Sequence, residues 1–487
     1  MAKRLNQADQ ALALLYHARA ATPFFSQGGQ PCASIPHNID SCRILPLRSA
    51  DFRDWLSANY YSEFETAPST LALHAVLRTL EARAQNGDSP AKKVDHRVSF
   101  EGDPFAPSKI LLDLANQAGE ILEITSQGWA LTYNLRHSFQ RAPGMLPLPN
   151  PQPLSVNPLA GFSTLFNLTS HERTRVFFWL TAALRPTGPY PILVLRGPAA
   201  CGKSLLARAL RTLIDPSAAP LRCLPVRDRE ILQLAPHNWV LIFDHVHRIP
   251  IKISEVLCAI SSGEAIETAQ PDNRDSALAE IARPVILIAP LDEAQSSWTP
   301  TRSLSNRSLT VDLAPIAAPR PEAAVWSDLE DLRAPVLAGL ADAVSSAIRH
   351  VRDINIGPIA RFWDPAAWAT AAFPALNLDP AAIVDAVSDP ESIWLGVDPL
   401  RDTLYALLRP NPLWSGDAAA LLTELRAIAG LATLPSTPQG LSQALARVPG
   451  ISVSRNHRTL TITRMTHRTA SPNPDIPIFP SRGLRSS

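Results

Sequence analysis

The chain has 487 residues, which at roughly 100–200 residues per domain is room for three or four domains. Hydrophobic residues make up 46% and charged residues 18%, a composition with ample core material that excludes a disordered chain. The 45 basic and 44 acidic residues give a formal net charge of +1, so any affinity for nucleic acid or membrane must come from local asymmetry.

At the N-terminus, Met1-Ala2-Lys3-Arg4 is followed at once by Gln7, Asp9 and Gln10, and the apolar stretch 11–15 ends in Tyr16-His17-Ala18-Arg19. This reads as a short amphipathic helix, not a signal peptide. Residues 1–90 predict an α+β region. A short β unit over 24–44 precedes helices at Phe52-Arg53-Asp54-Trp55-Leu56 and 71–84, where apolar residues recur at helical spacing. Asn86-Gly87-Asp88-Ser89-Pro90 is a turn by composition. Residues 91–142 predict a small β-rich domain with strands over 110–114, 120–125 and 129–133. Residues 143–160 are proline-dense and read as an extended linker.

Residues 161–320 alternate strand and helix. A helix (171–184) leads to a buried strand (192–195), a glycine loop and a helix (204–214). A second buried strand (239–243), a helix (253–261), a hairpin-like stretch (264–281) and a third strand (285–288) follow. That rhythm predicts a parallel α/β sheet. Residues 321–410 are alanine-rich and predict a helical domain. Residues 411–468 read helix, helix, hairpin, which is winged-helix-like, and 469–487 read as a disordered tail. No apolar run approaches the roughly 20 residues of a membrane span, so no membrane partner is expected. Cys32, Cys42, Cys201, Cys223 and Cys258 are scattered and odd in number, which points to a reducing cytoplasm and no disulfide framework.

Of the 45 basic residues only six are lysine, so a lysine at a chemically demanding position is informative. One is Lys203, in Gly197-Pro198-Ala199-Ala200-Cys201-Gly202-Lys203-Ser204. The segment fits G-x-x-x-x-G-K-[ST], follows an apolar strand and opens a helix, as a P-loop requires. Its glycines let the backbone curl round phosphate, and its N–H groups with the helix N-terminus face the anion. Gly197 through Leu205 are thus the candidate ATP contacts. Lys203 is placed for the β- and γ-phosphates, and the Ser204 hydroxyl for Mg²⁺. The competing reading is a chance match in a glycine-containing turn.

Trp239-Val240-Leu241-Ile242-Phe243-Asp244 is an apolar strand ending in a carboxylate, which would make Asp244 the second Mg²⁺ ligand. His245 follows where many such ATPases carry a water-activating carboxylate. A neutral imidazole can act as general base, and the simpler reading is that it only hydrogen-bonds or packs. His245 and His247 alone lack the converging ligands of a metal site. Arg307, just before the last strand of the domain, is placed to reach a neighbouring subunit's γ-phosphate, with Arg302 as its rival and ordinary surface arginines as the alternative. Arg274 marks the tip of the 264–281 hairpin. From residue 447 onward seven arginines face one acid, Asp475, a local net charge of +6. This reads as phosphate contact with DNA by the wing and tail, against a solvated basic tail.

Several stretches together resemble a known family: Arg141-Ala142-Pro143-Gly144-Met145-Leu146-Pro147-Leu148-Pro149, Leu184-Arg185-Pro186-Thr187-Gly188-Pro189-Tyr190-Pro191 with the P-loop, Trp239 to Asp244, Ile253-Ser254-Glu255-Val256-Leu257-Cys258, and Arg283-Pro284-Val285-Ile286-Leu287. The chain resembles bacterial and phage P-loop ATP-binding proteins related to the helicase half of primase–helicases, which are similar to superfamily 3 helicases within the AAA+ ATPases. The resemblance implies an AAA+-like α/β P-loop core, a homo-hexameric ring with ATP between subunits, and single-stranded or forked DNA in or near the channel. It carries over Lys203, Ser204, Asp244 and Arg307. Two positions depart from the pattern: Ile288 stands where a polar sensor, usually Asn, is expected, and His245 where Asn or an acid is common. Both bear on hydrolysis, not on binding. No second carboxylate cluster in 1–150 suggests a primase site, so a primase is expected on another chain. The expected activity is a Mg²⁺-dependent ATPase, a DNA helicase or translocase in mobile-element or phage-type replication. Its rivals are a nucleotide-dependent switch or assembly factor, a DNA-binding protein with a decayed ATPase, and a nucleotide kinase.

Overall fold

Apolar residues fill both faces of the central strands, and that pattern decides the architecture. A computed structural model describes residues 5–464, apart from 27–28, 39–40, 87–90, 134–138, 154–157, 248, 270–275, 291–300, 317, 358–361, 389–399, 401–402, 405–406, 409–412, 430–436, 446–450 and 457–458. The chain divides into two units, Met1–Leu395 and Gly396–Ser487.

The first unit opens with α1 (Gln7–His17), then an antiparallel sheet of β1 (Thr22–Phe25), β2 (Pro31–Asn38) and β3 (Ser41–Pro46), then α2 (Ala50–Phe64) and α3 (Thr70–Asn86). Leu14, Phe52, Leu56, Val76 and Leu80 are buried together beneath them. A second antiparallel sheet follows in the order β4 (Val98–Gly102), β5 (Pro107–Asp113), β6 (Ile121–Thr125) and β7 (Gly128–Thr132). The sequence marks β5 to β7. It does not mark β4, whose Val98-Ser99-Phe100-Glu101-Gly102 is too mixed to stand out. The proline-dense stretch expected to be an extended linker turns at 143–144, has no regular secondary structure over 146–153, lies outside the described residues at 154–157 and enters a helix at Pro158; it is also tied down. Leu146 N–H donates to Pro216 O (2.9 Å) and Leu148 N–H to Leu114 O (2.9 Å), with the Leu148 side chain buried.

After α4 (Pro158–Leu165), helix α5 (Ser170–Ala183) starts on a capping box formed by Thr169 and Glu172. The central sheet then assembles from β8 (Ile192–Arg196), β9 (Arg222–Cys223), β10 (Leu241–Asp244), β13 (Val285–Ile288) and β14 (Ser308–Asp312). Its order is β14-β8-β13-β10-β9 and every pairing is parallel. Side chains alternate between two cores. Leu193, Leu195, Ile242, Ile286 and Ile288 pack on one face, while Ile192, Val194, Leu241, Phe243, Val285 and Leu287 pack on the other. A parallel sheet covered on both sides needs such continuously apolar strands. The intervening elements are α6 (Lys203–Ile214), α7 (Asp228–Leu234), α8 (Ile251–Ser262), the paired strands β11 (Ala265–Ala269) and β12 (Ser276–Glu280), and α9 (Arg302–Asn306).

Helices α10 (Glu322–His350), α11 (Trp363–Ala372) and α12 (Ala382–Ser388) complete the unit. The four-stranded sheet is fastened to α10: Trp129 Nε1–H donates to Asp342 Oδ1 (2.9 Å) and the Ser345 hydroxyl to Thr125 O (2.7 Å). The second unit contains β15 (Leu413–Gly416), α13 (Ala418–Ala429), α14 (Pro438–Leu445), β16 (Ile451–Asn456) and β17 (Thr459–Arg464). Its sheet is antiparallel in the order β15-β17-β16, and Leu404, Leu421, Leu425, Leu441 and Ile462 form its core. The sequence reading finds the helices and the β16–β17 hairpin but not β15.

Two histidines lie where the four-stranded sheet meets the central one. Burial, with Arg283 and His237 nearby, pushes His96 down to about 3, and burial beside Arg283 lowers His237. Their rings meet edge to face at 6.3 Å. A histidine whose folded pKa lies below its unfolded value binds fewer protons when folded. Stability therefore falls as pH drops below the unfolded value of about 6.5, by about 1.4 kcal/mol per pH unit for His96 alone. Urea midpoints at pH 7.5 and 5.5 should separate less in His96→Gln than in wild type. An equal separation would contradict the assignment.

Candidate functional site

The carboxyl ends of parallel strands, at a point where strand order reverses, form a crevice open to ligands. Here β8 enters that edge between β14 and β13, and residues 197–202 follow it. Gly197 (φ 153°), Ala200 (φ 59°) and Gly202 (φ 87°) all hold positive φ, which curls the loop back on itself. A Cβ at Gly197 would stand 2.5 Å from Cys201 Sγ and 2.6 Å from Leu313 O, so only glycine fits there. Helix α6 then begins at Lys203 with Gly202 as its N-cap and no side-chain cap, unlike α5. Its first N–H groups are left for an anion to satisfy.

Half-buried Lys203 bends into the loop. Its Nζ donates to Gly197 O (2.7 Å) and Pro198 O (2.6 Å) and lies 3.7 Å from Cys201 Sγ. The Ser204 hydroxyl donates to Asp244 Oδ2 at 2.7 Å. Asp244, the last residue of β10, is only 8% exposed, and its Oδ1 accepts the His245 N–H (2.7 Å). One strand, β13, separates β8 from β10, so this contact bridges the gap between their ends. The predicted loop, lysine, serine and aspartate thus converge.

His245 takes a left-handed backbone (φ 55°) that turns the chain away from β10, and its side chain is exposed. The next residue rejoins the sheet edge, with Val246 N–H donating to Ile288 O (3.0 Å). Ile288 is 2% exposed and packs into the core, so it presents no polar group to the loop. Arg307 lies at the other end of the sheet. It precedes Ser308, which pairs with Ile192 at the start of β8, and β8 runs five residues from there to the loop. At roughly 3.3 Å per residue, about 15 Å or more of strand separates it from the 197–202 loop of its own chain. Its guanidinium donates to Ser262 Oγ (2.9 Å) and Glu264 Oε1 (3.4 Å). The Arg302 side chain, Arg274 and the side chains of the seven C-terminal arginines lie outside the described residues.

Sequence reasoning missed a bidentate pair beside the loop. Arg196 Nε and Nη2 donate to Asp312 Oδ1 and Oδ2, both at 2.7 Å, and lock β8 to β14 where the loop departs. Only the β8–β14 register, in which Arg196 faces Asp312, exposes it.

Gly197→Ala should be the most damaging small substitution in the loop. A forced left-handed alanine plus two contacts under 3 Å should cost about 3 kcal/mol, read as a lowered urea midpoint together with lost nucleotide affinity. Wild-type stability in that variant would contradict the loop geometry.

Residues 161–371 match the family model described as actinomycete integrative conjugative element replication protein, AICE_RepA. The match holds the loop, Asp244 and all five strands of the central sheet, so the part of the chain carrying the site is similar to a replication-protein family. No curated protein matches the chain. Among solved structures, the NrS-1 C-terminal region aligns with 93% of this chain and 99% of its own at 10% identity and a TM-score of 0.41. A JCV helicase structure aligns with 46% of this chain and 71% of its own at 12% identity and a TM-score of 0.25. Neither score establishes a shared fold. Among the described residues, no helix is long and apolar enough to cross a membrane.

Proposed function

We propose that the chain is a Mg²⁺-dependent ATP-binding and ATP-hydrolysing protein of AAA+ type that acts on DNA as a helicase or translocase during replication of a mobile element. The observation that carries this reading is the 2.7 Å contact between Ser204 and Asp244 at the mouth of a glycine loop that also holds Lys203. A hydroxyl and a carboxylate meeting there are the hard oxygen donors that Mg²⁺ takes in phosphate sites. Replication enters through the family match over 161–371.

In this reading the amides of 197–204 bind the phosphates and Lys203 neutralises the β- and γ-oxygens. Ser204 and Asp244 hold Mg²⁺, which would offset the charge that develops on the transferring phosphoryl group. His245, exposed beside Asp244, would hydrogen-bond the attacking water. Arg307 cannot serve its own loop, so in a homo-hexamer it would act on the neighbour's nucleotide, released from Ser262 and Glu264. The order β15, α13, α14, β16, β17 supports reading the second unit as a winged helix, whose +6 charge after residue 447 would supply phosphate contacts to DNA.

A second reading is a nucleotide-dependent switch that binds DNA without unwinding it. The burial of Ile288 favours it, because a core isoleucine cannot orient water. Steady-state ATP hydrolysis with and without single-stranded DNA separates the two. The motor reading expects stimulation by DNA of at least about tenfold over a basal rate, a barrier change well within reach of one completed site. Nucleotide binding without turnover in either condition leaves the switch.

A further inference from the structure

The far end of the P-loop helix is held as firmly as the near end, and by a residue from outside the central sheet. Helix α6 runs from Lys203 straight to its C-cap, Asp215. The Asp215 carboxylate is 6% exposed at its side chain. Its Oδ2 accepts the N–H of Val240 (3.0 Å), the residue just before β10, and Oδ1 accepts Arg97 Nε–H (3.1 Å). Arg211 Nη2 lies 3.6 Å from Oδ2. Two elements, α6 and β10, are therefore pinned to each other twice. Ser204 meets Asp244 at the nucleotide end, and Asp215 meets Val240 at the other. With about 18 Å of helix and about 13 Å of strand between the pins, a shift at one end is passed to the other.

Arg97 spends its whole guanidinium on this junction. It is fully buried, and it sits in the left-handed region (φ 61°) that non-glycine residues rarely adopt. Besides Asp215, it donates from Nη1 to Asp113 O (2.9 Å) and from Nη2 to Leu146 O (3.0 Å) and Pro216 O (3.4 Å). Its own carbonyl accepts Asp113 N–H (2.8 Å), which ties it to the end of β5. A buried ion pair is weak evidence for stability, since apolar side chains of similar size serve as well. What such a pair supplies here is a fixed register.

We propose that Arg97 and Asp215 are positioning residues that set the register of the P-loop helix against the Asp244 strand. Through Arg97 and Asp113 the four-stranded sheet β4–β7 is thereby joined to the far end of that helix. The consequence for nucleotide rests on the reading of residues 197–204 with Asp244 as a Mg²⁺–ATP site; the mechanical link does not.

The test uses the full chain and two readouts. Asp215→Asn keeps an acceptor for Val240 N–H and loses the charge that Arg97 meets; Arg97→Met keeps volume and loses every donor. Hydrogen exchange reads the link without nucleotide. The proposal expects exchange at 203–206 and 244–246 to rise about tenfold in both variants. A rise confined to 95–99, 213–217 and 240 overturns it. Binding of a fluorescent ATP analogue with Mg²⁺ and in EDTA reads the consequence. The gain in affinity from Mg²⁺ should fall about tenfold while affinity in EDTA stays within about twofold. A merely structural role would lower the melting temperature and leave the Mg²⁺ gain unchanged, which also overturns the proposal. Should Arg97→Met fail to fold, the isosteric Asp215→Asn decides. A wild type with no Mg²⁺ gain defeats the nucleotide reading, and the exchange arm still judges the link.

Discussion

The Lys203→Ala chain should turn over ATP about 10²–10³-fold more slowly than wild type, the usual cost of removing one preorganised charge donor from a phosphoryl site. The ammonium already lies inside the loop, on the carbonyls of Gly197 and Pro198 at 2.7 and 2.6 Å. In the nucleotide reading it would exchange these carbonyls for phosphate oxygens, a change of partner within the same loop. Alanine at the first helical position keeps the helix, since it has the best intrinsic propensity. The fold should survive, and the melting temperature should move by only a few degrees, as for a change of about 1 kcal/mol or less. Phosphate release against ATP concentration checks this. Turnover within about threefold of wild type would mean that the loop does not hold the reacting phosphates.

Asp244→Asn should have the second largest effect, and it should differ in kind. The amide keeps the shape and can still accept the Ser204 hydroxyl or the His245 N–H, but it withdraws the negative charge from a position only 8% exposed. A buried carboxylate facing a serine hydroxyl is suited to a small divalent cation, and an amide binds one far less well. Turnover should drop about 10²-fold, and ATP affinity should become the same in Mg²⁺ as in EDTA. Ser204→Ala should show a weaker version, because the carboxylate remains. Retained Mg²⁺ dependence in Asp244→Asn would place the metal elsewhere.

Much of the site is legible in the sequence because its signals are local. A glycine loop between an apolar strand and a helix needs only neighbouring residues to be read, and so does an apolar run closed by Asp244. The structure brings these two segments to hydrogen-bonding distance through a parallel sheet whose strand alternation the sequence also displays. What was not legible is long-range. The order of the strands, with β13 between β8 and β10, follows from packing over the whole unit and leaves no local mark. The Arg97–Asp215 pair joins residues 118 apart. Nothing in Asp95-His96-Arg97 distinguishes a buried clamp from a charged turn. The two-residue strand β9 is too short to show a period, and β15 lacks alternation. Ile288 is recognised from sequence as a departure, and the structure adds its direction, into the core. Arg307 is recognised as a candidate, and the structure places it at the end of the sheet opposite its own loop. The tip of the 264–281 hairpin and the tail after 469 lie outside the described residues.

The most direct test of the central claim is calorimetric titration of wild-type chain with ATP, in Mg²⁺ and in EDTA. One site per chain with a dissociation constant in the micromolar range, about −8 kcal/mol, and a clear loss of affinity in EDTA are the predicted results. No binding at millimolar ATP in either condition would contradict the assignment of residues 197–204 and Asp244 as a Mg²⁺–nucleotide site.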